Sequence, residues 1–187
     1  MMAHREEHEF CLYVKKLFPN YFNCKKVLDV GSLSINGSNR KLFEQCEYIG
    51  LDLGAGENVD VVSLAHEYDE PDNSFDVILS TETFEHDMYL SKTLANIIRL
   101  LKSGGLFFFA CATTGRAKHG TRTIKPETSP FTAKMSMWRD YYKNLTEKNI
   151  RAIIDIDAVF GEYKFEELHI KMSIYPCHDL RFWGIKK

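Results

Sequence analysis

The chain has 187 residues, 44% of them apolar and 27% charged, which suits one ordinary domain with its own core and excludes a disordered protein. Lys plus Arg number 24 against 26 Asp plus Glu, so a net charge of −2 shows no basic excess of the kind that marks nucleic-acid or anionic-membrane binders. The longest strongly apolar run, Leu106 to Ala112, is too short to span a bilayer.

The N-terminus, MMAHREEHEF, is charged and has no apolar signal-peptide core. The five cysteines are scattered without a C-x-x-C pair, so neither a zinc site nor a disulfide framework is expected, and a reducing, cytoplasmic setting follows. Phe10, Tyr13, Val14, Leu17 and Phe18 recur at helical spacing until Pro19 stops the run. Four short apolar runs then read as buried strands: KKVLDVGS (25–32), EYIGLDLG (47–54), NVDVV (58–62) and SFDVILS (74–80). A short helix over about Ser38 to Gln45 is expected between the first two. Leu90, Leu94, Ile97, Ile98 and Leu101 form one helix face closed by Ser103-Gly104-Gly105, and LFFFACA (106–112) is a fifth strand. Residues 113–133 have no periodicity, as in a lid or binding loop. Trp138, Tyr141, Tyr142 and Leu145 predict another helix, a further one starts near Thr146, and two strands follow from about Phe160, the last over Leu180 to Ile185. Strands alternating with helices imply βαβ units and a parallel sheet.

In such a sheet ligands bind beyond the carboxyl ends of the strands. The first strand ends Asp29-Val30-Gly31-Ser32, where Gly31 lets backbone approach a ligand; the second ends in Asp52, about 20 residues on, placed to accept from ribose hydroxyls. A dinucleotide cradle needs G-x-G-x-x-G, and Leu33 and Asn36 stand where its second and third glycines belong. No G-K-[ST] phosphate loop occurs either. An adenosine cofactor without a pyrophosphate, S-adenosylmethionine (SAM), fits these residues.

The order VLDVGS, YIGLD, FDVILSTETFEH, LLKSGGLFFFA resembles the class I SAM-dependent methyltransferases over about Val27 to Ala112. That resemblance implies a single Rossmann-like α/β domain over 1–187, with a mostly parallel seven-stranded sheet and helices on both faces. It implies that Gly31 and Ser32 lie against the methionine moiety, that Asp29 helps hold its amino group, that Asp52 takes the ribose and that Leu53 packs on adenine. Leu64 stands where many relatives carry an adenine-binding aspartate, leaving only its backbone N–H to bond the ring. A longer first turn reaches Gly37 in place of the usual second glycine, and Ser80 opens the segment that in the family lies under the transferred methyl group.

That segment runs Ser80-Thr81-Glu82-Thr83-Phe84-Glu85-His86. An alcohol acceptor must lose a proton, and His86 is a natural base; the loop after the fifth strand offers a second, His119, with Arg116 beside it. Glu82, Glu85 and Arg116 are candidate substrate contacts, and Trp138, Tyr141 and Tyr142 could make a stacking wall for a sugar ring, although helical spacing favours core for them. Glu82, Glu85, His86, Asp87 and His119 include ligands that suit magnesium, without any spacing motif for a metal. TTGRAKHGT, SP and WRDYYKNLT resemble small methyltransferases associated with sugar and glycan modification. The reading is therefore a SAM-dependent O-methyltransferase acting on a small-molecule or glycan hydroxyl, away from membranes.

Rival readings are weaker. DNA amino methylation uses a Pro-Pro-aromatic run that STETF lacks, and the sole Pro-Cys, Pro176-Cys177, is far from the strand-four position that cytosine C5 methylation requires. The basic residues at 116–125 keep an RNA or nucleotide-linked acceptor in view. Tyr21 and Lys25 have the spacing of short-chain reductases but precede the first strand. SAM binding without catalysis and transfer to a nitrogen acceptor are both compatible with the same motifs.

Overall fold

A computed structural model describes residues 3–35, 37–170 and 177–187; Asn36 and Pro176, named above, lie outside them. Helix α1 (Ala3–Leu17) leads into β1 (Lys26–Val30), β2 (Glu47–Asp52), β3 (Val61–Val62) and β4 (Phe75–Thr81). Helix α2 (Leu90–Leu100), β5 (Leu101–Ala112), the short helices α3 (Glu147–Arg151) and α4 (Ile156–Val159), and β6 (Phe160–Ile170) and β7 (Cys177–Lys186) complete the chain. The strands form one sheet in the order β3-β2-β1-β4-β5-β7-β6. Pairings from β3 through β5 are parallel, while β7 runs antiparallel to both β5 and β6, so the sheet is mixed. Strand order reverses between β1 and β4, which places a ligand crevice at their carboxyl ends.

Alternation along the strands divides the core in two. Leu28, Ile78, Phe107 and Phe109 face α2 (Leu94, Ile97, Leu100) and the α3–α4 segment (Ile150, Ile154, Ile156). Val27, Val77, Leu79, Leu106 and Phe108 face Phe10, Cys11 and Val14 of α1. Each such fully buried Leu, Ile or Phe side chain contributes about 1.5–3 kcal/mol. Helices thus cover both faces, as expected. Side chains cap both short helices: Thr146 and Asn149 make a reciprocal capping box on α3, and Asp155 accepts from Ala158 N on α4. Among the described residues no helix is long and apolar enough to cross a membrane.

Three expected elements differ. The helix over Ser38 to Gln45 is only a 3-10 turn, Asn39–Leu42, because the Arg40 side chain reaches across to Asn58, Asp60 and the Tyr48 carbonyl and holds the segment against β2. Helix α2 stops at Leu100; Leu101 already pairs with Phe75, and Ser103-Gly104-Gly105 lies within β5, where Gly104 takes φ +72°. No helix spans Trp138 to Leu145. There the backbone bonds outward, Lys143 N to Glu85 O (2.9 Å) and Leu145 N to Ala112 O (2.8 Å), which lashes the segment to the ends of β4 and β5.

Candidate active site

A cavity of about 1160 Å³ opens over the carboxyl ends of β1, β2 and β4 and is roofed by residues of the 115–132 loop. Its floor is the turn after β1. Gly31 sits at φ +82°, and a Cβ there would overlap Thr83 Oγ1, so only glycine fits. Gly31 N and Ser32 N both donate to Leu51 O (2.8 and 3.1 Å), tying the turn to β2. Leu33 N and Leu53 N donate to the two oxygens of Asp52 (3.0 and 2.7 Å). The carboxylate is thereby oriented at the cavity wall, although partial burial still pushes it above the usual aspartate range. Asp29 is buried and accepts from Tyr48 Oη (2.6 Å). Burial drives its carboxyl up to about 7, aided by Glu7 and Asp52 and opposed by the Tyr48 bond. Its second oxygen and Ser32 Oγ are buried without a partner among the described residues. These orphaned groups, a glycine floor and a fixed carboxylate suit an amino acid joined to a nucleoside.

Leu53 and Gly37 also line the cavity; Leu64 does not, its place on the wall being taken by Ser63, Ala65 and His66. Ser80 is not on the wall either. It is buried in the sheet, where its hydroxyl donates to Val30 O (2.8 Å) and ties β4 to β1.

The other end of the cavity is built from the ends of β4 and β5 and the loop that follows. Thr81–Thr83 and a 3-10 turn, Phe84–His86, extend β4 and turn His86 into the wall. Glu82 takes a left-handed conformation, φ +51°. Arg116 bridges Glu82 (2.8 Å) and Asp179 of β7 (3.0 Å), pinning the start of the 113–133 loop to two strands. Burial and neighbouring Glu85 push Glu82 up against the pull of Arg116. Gly120 (φ +62°) passes so close over the His86 ring that no Cβ could be accommodated. The His86 and His119 rings meet edge to face, 5.1 Å between centroids, and Tyr142 packs on both, at 5.5 and 5.0 Å. Burial holds both imidazoles below the usual histidine range, His86 down to about 3, so each is neutral near pH 7. His119 Nδ1 lies 3.0 Å from Ala117 O; a carbonyl only accepts, so this nitrogen carries the proton and Nε2 holds a lone pair.

The candidate acceptor residues thus separate. Glu82, His86, Arg116, His119 and Trp138 line the cavity, whereas Glu85 lies fully buried behind His86 and does not reach the wall. Trp138 packs against Tyr89 (5.6 Å between ring centroids) and lines the cavity. Of the five residues considered for a divalent ion, Glu82 is engaged by Arg116, and Asp87 accepts from Tyr89 N and Thr93 Oγ1 at the start of α2. Glu85, His86 and His119 come together. Sequence reasoning missed Asp179 and Glu7, the latter contributed to the wall by α1, and named Tyr142 only as part of a stacking wall. Asp179, just ahead of the expected last strand at Leu180, carried no signal; Tyr142 was visible as an aromatic of the expected helix and is instead placed by the backbone bond of its neighbour Lys143 N to Glu85 O.

Residues 2–152 match the family model described as a methyltransferase domain. No curated protein matches the chain by sequence. Solved structures similar in fold include phosphoethanolamine N-methyltransferase 2 of Haemonchus contortus in complex with S-adenosyl-L-methionine, at 18% identity and TM-score 0.64 over 95% of this chain and 52% of that one. This chain therefore spans about half that enzyme's length. They also include Burkholderia thailandensis 1,6-didemethyltoxoflavin-N1-methyltransferase with bound 1,6-didemethyltoxoflavin and S-adenosylhomocysteine, at 14% identity and TM-score 0.61 over 97% and 90% of the two chains. A possible histamine N-methyltransferase from Thermotoga maritima matches at 16% identity and TM-score 0.60 over 100% and 92%.

Proposed function

The chain belongs to the methyltransferase domain family, and from that premise we propose that it transfers a methyl group from S-adenosylmethionine to a hydroxyl of a sugar or glycan acceptor. The observation that carries this reading is one continuous cavity with a cofactor-shaped end at Asp29, Gly31 and Asp52 and a neutral histidine pair at the other. When bound, SAM supplies a methyl carbon made electrophilic by its sulfonium. Gly31 and Ser32 receive the methionine moiety, Asp29 accepts from its ammonium, Asp52 accepts from the ribose and Leu53 packs on the adenine. Ser63 and His66, not a side chain at 64, face the remaining wall.

Transfer is in line, so the acceptor oxygen must be held about 3–3.5 Å from the methyl carbon. The 115–132 roof and Trp138 do this holding and keep water out. The hydroxyl proton is handled at His86 and His119, whose neutral rings offer nitrogen lone pairs to the cavity wall. A cytoplasmic setting suits the free thiols of Cys11, Cys24, Cys46 and Cys111. Two of the structural relatives named above are described as N-methyltransferases and the third as a possible one, so an amine acceptor is the second reading; it needs less help with a proton.

The test is a screen of nucleotide sugars, glycan fragments, small amines and RNA with SAM, read as gain of one methyl by mass spectrometry. Methylation of a sugar hydroxyl is expected, with His86→Ala and His119→Ala each lowering turnover about 10²–10⁴-fold at little changed SAM affinity. Methyl gain confined to amines or RNA overturns the sugar assignment. SAM binding without turnover on any acceptor makes the chain a binding protein, and NAD binding in place of SAM overturns the whole reading.

A further inference from the structure

Behind the acceptor end of the cavity lies a knot of polar groups that the methyl-transfer reading leaves unsatisfied. Glu85 has no exposed surface; one oxygen accepts from Ala112 N (3.3 Å), and Oε2 has no partner among the described residues. His86 is 4% exposed, and neither ring nitrogen is bonded among the described residues. Tyr142 Oη, on the ring that covers both histidines, is likewise buried and unpartnered. A buried polar atom without a hydrogen bond costs about 1–3 kcal/mol. Several of them around one point call for a common occupant.

Geometry narrows what that occupant is. One ligand atom each from Glu85, His86 and His119 lie within 4.8 Å of one another, wider than the roughly 3.4 Å between tetrahedral ligands about 2.1 Å from a shared ion, so side-chain rotation must draw them in when an ion binds. His119 already has the outer contact typical of a metal-bound imidazole: Nδ1–H donates to Ala117 O, which fixes the ring and leaves Nε2 as the donor atom. The nearby guanidinium, Arg116, is committed to Glu82 and Asp179, and no ion pair of Glu85 occurs among the described residues. We propose that Glu85, His86 and His119 bind a divalent first-row transition metal ion at the wall of the cavity. Two imidazoles and one carboxylate suit zinc, cobalt or manganese better than magnesium, which prefers oxygen ligands. Three protein ligands leave at least one position for an outside oxygen, the pattern of a reactive rather than a purely structural site.

The role of the ion rests on the proposed function, though its binding does not. A hydroxyl oxygen taking the open position would lose its proton to water more readily, its electron pair remaining on the oxygen bound to the ion. With the ion bound, both histidines would be ligands in place of proton acceptors, and loss of either ring would lower turnover by releasing the ion.

The test uses the full chain, stripped with chelator and dialysed. Calorimetric titration with zinc is expected to give one bound ion at micromolar or tighter strength, and cobalt to give visible d–d absorption of a low-symmetry site. His119→Ala, on the loop and so little threat to folding, should weaken zinc by more than about 100-fold, beyond the loss typical of an outer contact. Glu85→Gln, nearly the same shape, should do the same. His169→Ala, on exposed β6 near His178, serves as control and should change nothing. Zinc uptake that survives both site variants, or no uptake by the wild-type chain, overturns the proposal in favour of ordered water. SAM affinity read on the same samples separates the two readings: an ion bound without SAM binding defeats the methyltransferase assignment, and SAM binding without an ion defeats only this site.

Discussion

At the β1–β2 end of the cavity both oxygens of Asp52 are already held, by Leu33 N and Leu53 N, before any ligand arrives. At the β4–β5 end, among the described residues, neither nitrogen of His86 has a partner, and Glu82, Glu85, Thr113 and Tyr142 each leave a buried polar atom unpaired. The first end is assembled from backbone within a few residues of two adjacent strands. The second is assembled from β4, β5, β7 and a loop that must fold back over them, held by Arg116 and by the bonds of Lys143 and Leu145. Asp52 is thus oriented in advance and loses little freedom on meeting a ligand, although Asp29 Oδ1 and Ser32 Oγ at this end are also buried without a partner among the described residues. A reacting end with unsatisfied groups is poised for a partner that the chain itself does not supply.

The largest effect that would break this contrast concerns the loop's anchor. Arg116→Ala leaves Glu82 and Asp179 buried without the guanidinium between them, and is expected to cost about 3–5 kcal/mol of folding stability in denaturant unfolding. Arg116→Lys should recover only part of it, since an ammonium lacks the fork that spans both acids. A loss below about 1 kcal/mol, the scale of a surface pair, would mean that the loop is held by something else.

Next comes the floor of the other end. Gly31→Ala imposes a left-handed conformation on a side chain, worth about 1–3 kcal/mol, and adds the overlap with Thr83. Both thermal stability and SAM affinity should fall. Adding Thr83→Gly should relieve the overlap but not the backbone strain, so full recovery would show that the turn itself tolerates a side chain. Asp52→Ala should weaken SAM by about 1.5–3 kcal/mol in calorimetry, the scale of hydrogen bonds to a charged group. An unchanged affinity would remove the ribose from its assigned place.

The smallest effect sharpens the comparison by pH. Asp29 accepts from a ligand ammonium only when ionised, and its carboxyl sits at about 7. SAM binding should therefore weaken by about tenfold, ~1.4 kcal/mol, for each pH unit below 7, and Asp29→Asn should flatten the dependence. For folding the sign is opposite. The folded carboxyl lies above the ordinary aspartate value of 3.8, so its contribution to stability is fully present below 3.8 and is lost as pH rises through about 7. A SAM affinity independent of pH between 5 and 7.5 would place the ammonium elsewhere.

Most of the cofactor end was legible in the residues. A glycine two positions after an acid at a strand end, and a second acid at the end of the next strand, are local facts, and parallel pairing of β1 with β2 brings them side by side. Leu64 and Ser80 fall outside the cavity wall because which face a strand-end residue presents depends on register and on neighbours. Ser80 turned into the sheet to bond Val30 O, and the wall beyond β3 passed over Leu64. The acceptor end was legible as composition only. His86, His119 and Glu85 were visible as chemistry, but the aromatic spacing of Trp138 to Leu145 suggested a helix where the chain instead bonds across to β4 and β5.

The sequence by itself determined the strands of the parallel half, the glycine turn and the two acids beyond it, because each depends on alternation, spacing or one residue's allowed backbone angles. Only the tertiary structure decided that Tyr142 covers two histidines, that Arg116 joins β4 to β7, and that Glu85, unlike Glu82, is withdrawn behind the wall. Those contacts join residues far apart in the chain, and a side chain's partners there are selected by how packed strands and loops meet, which no local pattern encodes.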